Sequence, residues 1–303
     1  MYDVAVVGAG PAGVSAALNL GRACRGVALL DTGEGRNATA QGVQGLAVGS
    51  GLPPERYREA AESVVDCLPE IHRWKQRVSS VSGEAEKFQL LLADDSVIHA
   101  RRVLLATGLY DVLPDIPGLA QLWGRAVLHC PYCDGYELAG QPLAVLAQEA
   151  SDAALALMLA RFSPHVVCCV DDSVALPQRD RSRLEKAGVT VKVGTLKQVE
   201  AREQEIERLI FSDGSQLRCT ALFLHPSSRQ RSDLAATLGC EFLEDGAVAV
   251  DDLHHTSVPG VFAAGDMARR PSMAQPTHHV AVAMGEGTVA ALALDSELAE
   301  ADT

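Results

Sequence analysis

Apolar and polar positions follow two different spacings at the start of the chain, and each spacing predicts a different element. Residues 2–7, YDVAVV, form a β-branched apolar run of strand length. Residues 14–23, VSAALNLGRA, have helical character. A second apolar run, GVALLD, ends at Asp31. The amino terminus is therefore predicted to form a strand, a turn, a helix and a second strand.

The turn in this unit is glycine-rich and has the spacing G-x-G-x-x-G. It reads GAGPAG, in which Gly8 permits a tight turn, Gly10 lets backbone approach a pyrophosphate, and Gly13 lets helix and strand pack closely. Asp31 follows about 20 residues later, where an acid is expected to bind a ribose hydroxyl. The alternative is that the glycines only make a turn, but their flanking elements favour a dinucleotide site.

Later apolar runs extend the same domain. Residues 87–100, KFQLLLADDSVIHA, alternate as a β-hairpin whose turn lies at residues 94–96. Residues 101–108, RRVLLATG, read as a strand that enters a small-residue turn, and residues 256–266, TSVPGVFAAGD, as a strand that ends in Gly-Asp.

Between these stretches the chain repeats its own plan. PDIPG at residues 114–118 reads as a linker, and a second linker is expected near residues 244–252. The intervening segment predicts strand, helix, strand, hairpin and strand, with Ser151 capping the helix. We therefore predict an α/β fold with two Rossmann-like domains, the second inserted in the first. The expected limits are 1–116 and 247–303 for the first domain and 117–246 for the inserted domain.

Two cysteines lie at the head of the inserted segment, in HCPYCDGYE. Pro131 between Cys130 and Cys133 suits a first helical turn, which lowers a thiol pKa through the helix dipole. A zinc site normally needs four ligands, and no second C-x-x-C or spaced histidine pair accompanies this one. A buried structural pair is a further alternative. The nearby dinucleotide site favours a redox-active dithiol, and no metal is expected.

Composition and charge exclude several partners. The chain has 303 residues, 48% of them hydrophobic, and a net charge of −13, which disfavours nucleic acid and anionic membranes as partners. The eight cysteines are not accompanied by a secretion signal. We therefore expect a cytoplasmic protein with no membrane span.

Taken together, these segments resemble a known family. The GAGPAG turn, LLATG and GVFAAGD, in this order, resemble the FAD domain of the pyridine-nucleotide disulfide oxidoreductases. The C-x-x-C-D-G that opens the inserted segment is similar to that of the low-molecular-weight thioredoxin reductases. This resemblance implies that Cys133 is the thiol that reacts with the flavin, that Cys130 exchanges with substrate, and that Asp134 is the general acid and base.

The same resemblance implies the cofactor and its binding residues. FAD would be held with its ribitol on Asp266, and the helix that begins in THHVAVAMGEG would face the flavin pyrimidine. Asp266 could equally act as a helix N-cap, and the two roles are compatible. The implied cofactor-binding residues are Gly8, Gly10, Pro11, Ala12, Gly13, Asp31, Asn37, Val81, Ala106, Thr107, Gly108, Gly265, Asp266, His279 and Val280.

The chain departs from thioredoxin reductase at the expected nicotinamide site. The turn after the first strand of the insert, residues 147–150, contains no glycine, and Glu149 adds a negative charge. Asp171 and Asp172 stand after the next strand, where they would repel a 2′-phosphate. The sequence therefore predicts a degenerate site and makes NADP(H) binding doubtful.

The remaining features resemble one subgroup. LLDTGEGRNATAQGVQG, with Arg36 and Asn37, and the pair His278 and His279 are similar to the thioredoxin-reductase-like dithiol oxidases. Those enzymes close disulfides in small natural products of the gliotoxin, holomycin and romidepsin type. The resemblance implies a small-molecule dithiol substrate and a homodimer. Molecular oxygen is the expected electron acceptor, and NADP+ is the alternative acceptor.

His278 is a candidate base that accepts a proton from the substrate. The structural alternative is that His278 and His279 only pack against other residues or cap a helix. Two other functions stay open at this point: an NAD(P)H-dependent disulfide reductase, and a flavoprotein that binds a partner without turnover.

Overall fold

The predicted strands and helices form in the expected order. The computed structural model describes all residues from 1 to 303. No helix in it is both long enough and apolar enough to cross a membrane. The helices are α1 (Pro11–Arg22), α2 (Pro54–Val65), α3 (Pro131–Asp134), α4 (Ala153–Leu159), α5 (Gln178–Lys186), α6 (Leu234–Thr237) and α7 (Val280–Ala301).

The strands are short, and most of them have an apolar face. In chain order they are β1 (Tyr2–Val7), β2 (Val27–Leu30), β3 (Ile71–Trp74), β4 (Val78–Ser82), β5 (Phe88–Leu92), β6 (Val97–Leu105), β7 (Leu109–Val112), β8 (Val127–Leu128), β9 (Leu143–Ala147), β10 (Val166–Val170), β11 (Thr190–Val193), β12 (Leu196–Arg202), β13 (Glu205–Phe211), β14 (Gln216–Leu217), β15 (Ala221–Phe223), β16 (Ser227–Gln230), β17 (Val248–Ala249), β18 (Val261–Ala263) and β19 (Ala268–Arg269).

The part of the chain that corresponds to the first predicted domain, which we call the first lobe, is organised around β1. The last four residues of β1 are buried on both faces. β1 pairs in parallel with β2 and β6, β3 extends the sheet beyond β2, and β18 pairs with β6. The predicted hairpin forms as β5 and β6, and β4 continues it. A parallel sheet buried on both faces requires near-continuous apolar strands, and these strands have that composition.

Two glycines allow helix α1 to follow β1 closely. Gly8 has φ +107°, a backbone conformation that L side chains rarely adopt. A Cβ on Gly13 would lie 1.8 Å from the carbonyl oxygen of Gly8. The helix therefore begins directly over the end of the strand, with its N-terminus at the carboxyl edge of the sheet.

The part that corresponds to the inserted domain, which we call the second or inserted lobe, has its own parallel sheet. The strand order in this sheet is β11, β10, β9, β15, β8. All five residues of β9 are buried, and four of the five residues of β10 are buried, including Cys168 and Cys169. β12, β13 and β14 form a separate antiparallel meander. The α/β fold with two Rossmann-like lobes is thus confirmed.

The joint between the lobes consists of β7 and β16, which pair with each other in antiparallel orientation. Leu113 and Ile116 already pack on the second core, whereas Leu234 and Cys240 are buried in the first. The chain therefore returns to the first lobe well before residue 246. We propose that the inserted lobe spans about residues 113–226 instead of the expected 117–246. These limits follow the apolar contacts, because such contacts define a core better than linker composition does.

The cap of the inserted helix differs from the prediction. Ser151 does not cap it, since its hydroxyl instead lies 3.4 Å from the carboxylate of Glu149. The capping groups are Glu149 and Asp152, which form a reciprocal capping box at the short 3-10 turn Ala150–Asp152. Ser151 has the right residue type but lies two positions after Glu149, the N-cap of this turn.

Candidate functional site

A cavity of 590 Å³ lies between the two lobes, and we call it the main cavity. It is lined from the first lobe by the carboxyl ends of β1, β2, β6 and β18 and from the second lobe by residues on either side of β8. The sequence-predicted site residues that line it are Gly8, Gly10, Pro11, Ala12, Asp31, Asn37, Ala106, Thr107, Gly108, Cys133, Asp134, Gly265, Asp266, His278, His279 and Val280.

Three predicted residues lie elsewhere. Gly13 packs beneath the turn against Gly8, and Cys130 is buried behind Cys133. Val81 is only 4% exposed and packs in the core of the first lobe. The expected cofactor residue Val81 therefore does not line the main cavity, whereas Val78 and Ser79 of the same strand do.

The strand–turn–helix end of the main cavity fits a dinucleotide. Nothing lies within 4 Å of the position that a Cβ on Gly10 would take, so the turn leaves open space above its backbone. The N-terminus of α1 faces that space, where backbone N–H groups and the helix dipole favour phosphate. A cofactor of the FAD type thus finds a cradle that a side chain at residue 10 would fill.

Asp31 holds the turn as well as facing the cavity. Its Oδ1 accepts a hydrogen bond of 3.0 Å from the Ala9 N–H, and its Oδ2 accepts one of 2.8 Å from the Gly33 N–H. Arg58 from α2 donates to the same Oδ2 at 2.8 Å. A carboxylate can accept further hydrogen bonds, so Asp31 keeps capacity for a ribose hydroxyl. Arg58 was missed by sequence reasoning, because its spacing from the turn gives no signal.

The opposite end of the first-lobe wall is formed by Asp266 and the start of α7. His279 occupies the N-cap position of α7 with extended backbone, φ −127° and ψ 142°, and Val280 begins the helix. The helix predicted from THHVAVAMGEG therefore forms, and it begins at Val280, three residues into that segment. A helix N-terminus at this place favours electron-rich groups, such as a flavin carbonyl oxygen.

Arg36 connects the Asp266 end of the main cavity to the joint between the lobes. Its guanidinium binds Asp111 on β7 at 2.6 Å and Asp266 at 2.7 Å. The Asp111 side chain is only 6% exposed, so the pair is well shielded from solvent. The sequence marked Arg36 only as part of a family-like segment, whereas Asp111 carried no signal, because its partner comes from another part of the chain.

The redox pair forms a disulfide at the second-lobe wall. Cys130 and Cys133 are joined across the single helical turn of α3, with 5.3 Å between their Cα atoms. Pro131 occupies the first position of that turn, as predicted. Cys133 faces the main cavity, whereas Cys130 is 8% exposed. Tyr132 lies between the two cysteines in the sequence. Its ring contacts the His279 ring edge-on, with 6.2 Å between the ring centroids.

Burial shifts the pKa values of the groups around this disulfide. It raises the pKa of Asp134 to about 6, and the negative charge of Glu137 adds to the shift. It lowers the pKa of His129 to about 4, and the positive charge of Arg36 adds to this shift. Burial also lowers the pKa of His278, against the opposing effect of Asp266. At neutral pH the main cavity therefore offers one carboxylate and two neutral imidazoles as proton acceptors.

The chain matches known proteins over nearly its full length. The family model "Pyridine nucleotide-disulphide oxidoreductase" matches residues 2–287. A protein named thioredoxin reductase sirT, from Leptosphaeria maculans, is 33% identical over 291 residues, which cover 88% of this chain and 87% of that protein.

Two solved structures agree closely with this one. The oxidoreductase from Agrobacterium tumefaciens is 31% identical with a TM-score of 0.92, and the alignment covers 99% of each chain. The structure of HlmI is 35% identical with a TM-score of 0.91 and covers 99% of this chain and 93% of that one. The family implies FAD as the cofactor that the cradle fits. This chain thus belongs to the pyridine nucleotide-disulphide oxidoreductase family and is a flavin-dependent, thioredoxin-reductase-like oxidoreductase.

Proposed function

We propose that this protein is an FAD-dependent dithiol oxidase. In this reaction a small-molecule dithiol is closed to an intramolecular disulfide, and molecular oxygen is the final electron acceptor. The first-lobe residues at the main cavity hold the cofactor, and the Cys130–Cys133 disulfide takes electrons from the substrate. When bound, FAD supplies a two-electron carrier between the disulfide and the acceptor.

One observation carries this choice over a reductase: the nucleotide turn of the second lobe is filled by its own side chain. A dinucleotide site presents backbone N–H groups to a pyrophosphate. Here the N–H groups of Gln148 and Glu149 donate to Oδ2 of Asp152 at 2.9 and 3.0 Å. Asp152 is 6% exposed, and its Oδ1 lies 3.1 Å from Nδ1 of His225. A nicotinamide dinucleotide would have to displace a buried carboxylate to use these donors.

The next strand end also disfavours NADPH. Asp171 and Asp172 follow β10, where a 2′-phosphate would lie, and both carboxylates are held by hydrogen bonds. Asp171 accepts hydrogen bonds from Ser173, which lower its pKa, and Asp172 accepts them from Thr195. Ionised carboxylates in fixed positions repel a phosphate. These contacts support electron entry through a dithiol rather than through NADPH.

The disulfide of the second lobe and two proton acceptors, one from each lobe, supply the thiol chemistry. A substrate thiolate attacks Sγ of Cys130, the Cys130–Cys133 bond breaks, and Cys133 leaves as a thiolate. The second substrate thiolate then attacks the substrate sulfur of the mixed disulfide and releases Cys130. The substrate is oxidised by two electrons and the cysteine pair is reduced by two. Asp134 and His278 accept the protons that the substrate thiols lose.

The burial of the disulfide limits the size of the substrate. Cys130 is 8% exposed and Cys133 opens into the main cavity, so neither sulfur stands on the protein surface. A small dithiol can reach such a bond, whereas a folded protein partner would need the lobes to separate first. The substrate is therefore proposed to be a small molecule.

The carboxyl group of Asp134 is expected to set the pH below which the reaction rate falls. Because burial raises its pKa to about 6, the group becomes protonated below that pH and can no longer accept a proton. The rate of disulfide reduction by a dithiol is expected to fall as the pH drops below 6. In Asp134→Asn the rate should be lower by about 100-fold and should lack this fall. Stopped-flow rates from pH 5 to 8 test this, and an unchanged fall in the variant would assign it to another group.

We also propose that two copies of the chain pair in solution. Helix α7 exposes three large apolar side chains, Met284, Val289 and Leu292, the last at 62%, and a partner copy would cover them. Light scattering should give twice the chain mass of 32.0 kDa.

The experiment that tests the proposed function is aerobic turnover with a small dithiol. The account predicts that one hydrogen peroxide forms for each disulfide closed and each oxygen consumed, without added nicotinamide. The competing function is an NAD(P)H-dependent disulfide reductase, which the family name favours. Oxidation of NADPH coupled to disulfide reduction, with no peroxide, would establish that function instead.

A further inference from the structure

The two lobes are joined by two strands only. The chain enters the inserted lobe after β7 and leaves it before β16, and these strands pair with each other at the joint. The main cavity lies between the lobes, with the predicted FAD residues on the first-lobe wall and Cys133 on the second-lobe wall. Lobes joined in this way are expected to move relative to each other unless further contacts hold them. The position of Cys133 at the cofactor therefore depends on such contacts.

One segment of the first lobe supplies these contacts. Residues 34–39, which we call the clasp, follow β2 and stand at the main cavity. Two backbone hydrogen bonds hold the segment in turns, from the Ala38 N–H to the carbonyl oxygen of Gly35 and from the Ala40 N–H to that of Asn37. Three side chains of the clasp reach the joint or the inserted lobe, and each makes a different kind of contact.

The first contact is the forked ion pair of Arg36. Its Nη2 donates to Oδ1 of Asp111 at 2.6 Å, and its Nε lies 3.2 and 3.1 Å from the two carboxylate oxygens of that residue. Its Nη1 donates to Asp266 in the first lobe at 2.7 Å. A two-pronged contact fixes the direction of the two groups as well as their distance. Because Asp111 lies on β7 opposite Ser228 of β16, the fork fixes both joint strands relative to Asp266.

The second contact joins the clasp directly to the inserted lobe. Gly124 of that lobe has φ +78° and lies against Thr39 of the clasp. A Cβ on Gly124 would lie 2.4 Å from Oγ1 of Thr39 and 2.8 Å from its carbonyl carbon. The two lobes therefore touch here without room for even one methyl group between them.

The third contact is exposed to solvent. Oε2 of Glu34 lies 3.4 Å from Nη1 of Arg231, which follows β16, and the Glu34 side chain is 71% exposed. An ion pair in this setting contributes little, because water and salt screen it. The Arg36 fork and the Thr39 contact are therefore the two that can hold the inserted lobe.

We propose that the clasp is a positioning segment that holds the inserted lobe with Cys133 at the cofactor end of the main cavity. Electrons then pass from the reduced cysteine pair to FAD without a movement of the lobes. In this step the pair loses two electrons and one proton as its disulfide re-forms, and FAD receives them. The inference rests on the proposed function, because it assigns the route of electrons from the dithiol through the pair to FAD.

Two glycines of the inserted lobe provide a matched test. Gly124 and Gly140 have nearly the same backbone conformation, with φ +78° and +75°, so alanine strains both turns alike. Only Gly124 faces the clasp, since nothing lies within 4 Å of a Cβ on Gly140. Each variant is mixed anaerobically with a small dithiol, while the product disulfide and the flavin absorbance are followed. In Gly124→Ala, flavin bleaching is expected to slow by at least about tenfold. The first equivalent of product should still form at the native rate, and Gly140→Ala should match the native protein in both steps.

A second readout does not depend on turnover. The protein is reduced with a phosphine and treated with iodoacetamide, and the labelling of each cysteine is measured by peptide mass spectrometry. Exposed Cys67 serves as the internal reference. In Gly124→Ala, labelling of Cys133 is expected to rise several-fold relative to Cys67, because the loosened lobe opens the main cavity. In Gly140→Ala the ratio should stay native.

A second pair of variants covers the case in which Gly124→Ala does not fold. Asp111→Ala cuts the fork from the joint and leaves the contact of Arg36 with Asp266, and exposed Glu34→Gln is its control. Asp111→Ala should show the same slow bleaching and faster labelling, with native FAD content.

The contrary outcomes are distinct. Native bleaching and native labelling in Gly124→Ala or, where that variant does not fold, in Asp111→Ala would overturn the clasp. Loss of FAD from Asp111→Ala would also overturn it, by assigning the fork to cofactor binding. A native protein whose flavin no dithiol bleaches would overturn the proposed function, and the labelling ratio would still decide whether the clasp holds the lobe.

Discussion

Replacing either Cys130 or Cys133 by serine is expected to abolish dithiol oxidation while the protein stays yellow. Serine cannot form the disulfide that accepts the substrate electrons, so the loss should be at least about a thousandfold. FAD retention should be unaffected, because Cys130 does not line the main cavity and Cys133 lines only its second-lobe wall. The measurements are turnover with a small dithiol and the flavin absorbance of the purified variants.

Cys67→Ser provides the control for this experiment. Cys67 is exposed, and its thiol donates only to the carbonyl oxygen of Ser63, a contact that a serine hydroxyl can make. It should oxidise dithiols at the native rate. Undiminished turnover in Cys133→Ser would refute the route of electrons through this pair.

Replacing Gly13 by alanine is expected to yield a colourless protein. A Cβ at this position would stand 1.8 Å from the carbonyl oxygen of Gly8 and 3.3 Å from the Cβ of Ala106. Backbone and not a flexible side chain creates the first contact, so the turn must move and its N–H groups lose their alignment toward the cofactor. FAD content after purification, and fluorescence titration of the apoprotein with FAD, measure this loss.

Gly285→Ala is the matched control. Gly285 lies in helix α7, where nothing stands within 4 Å of a new Cβ. Alanine there should keep the native FAD content and raise the free energy of unfolding by up to about 1 kcal/mol, because alanine favours helix more than glycine does. Equal FAD loss in both variants would show that the effect is not specific to the turn.

Local patterns predicted the parts of the fold in which sequence neighbours are also neighbours in space. Strand β1, the glycine turn, helix α1 and strand β2 all form where the apolar spacing places them. The hairpin at Asp94–Ser96 is of the same kind, with Asp95 in the left-handed region at φ +66° that its turn requires.

Features that depend on contacts between distant segments were not predictable in the same way. The return of the chain to the first lobe is set by the burial of Leu234 and Cys240 in a core that includes residues more than 100 positions earlier in the chain. The ion pairs of Arg36 with Asp111 and Asp266 join three segments. Neither feature has a local signature in composition or spacing.

The structure adds a group to the turn at residues 147–150 that the sequence did not indicate. The absence of glycine and the charge of Glu149 predicted a degenerate nicotinamide site. The structure adds the carboxylate of Asp152, which accepts hydrogen bonds from the turn N–H groups themselves. Its role could not be read from the sequence, because an acid in a first helical turn is common for capping alone.

The central claim is that electrons enter through the disulfide and not through a nicotinamide. Anaerobic titration of the purified flavoprotein tests this most directly, with NADPH added first, then NADH, then a small dithiol, while the visible flavin band is followed. The account predicts bleaching by the dithiol alone and recovery of the colour when air is admitted. Rapid bleaching by stoichiometric NADPH would contradict it, and would mean that Asp152 yields its place to a nucleotide.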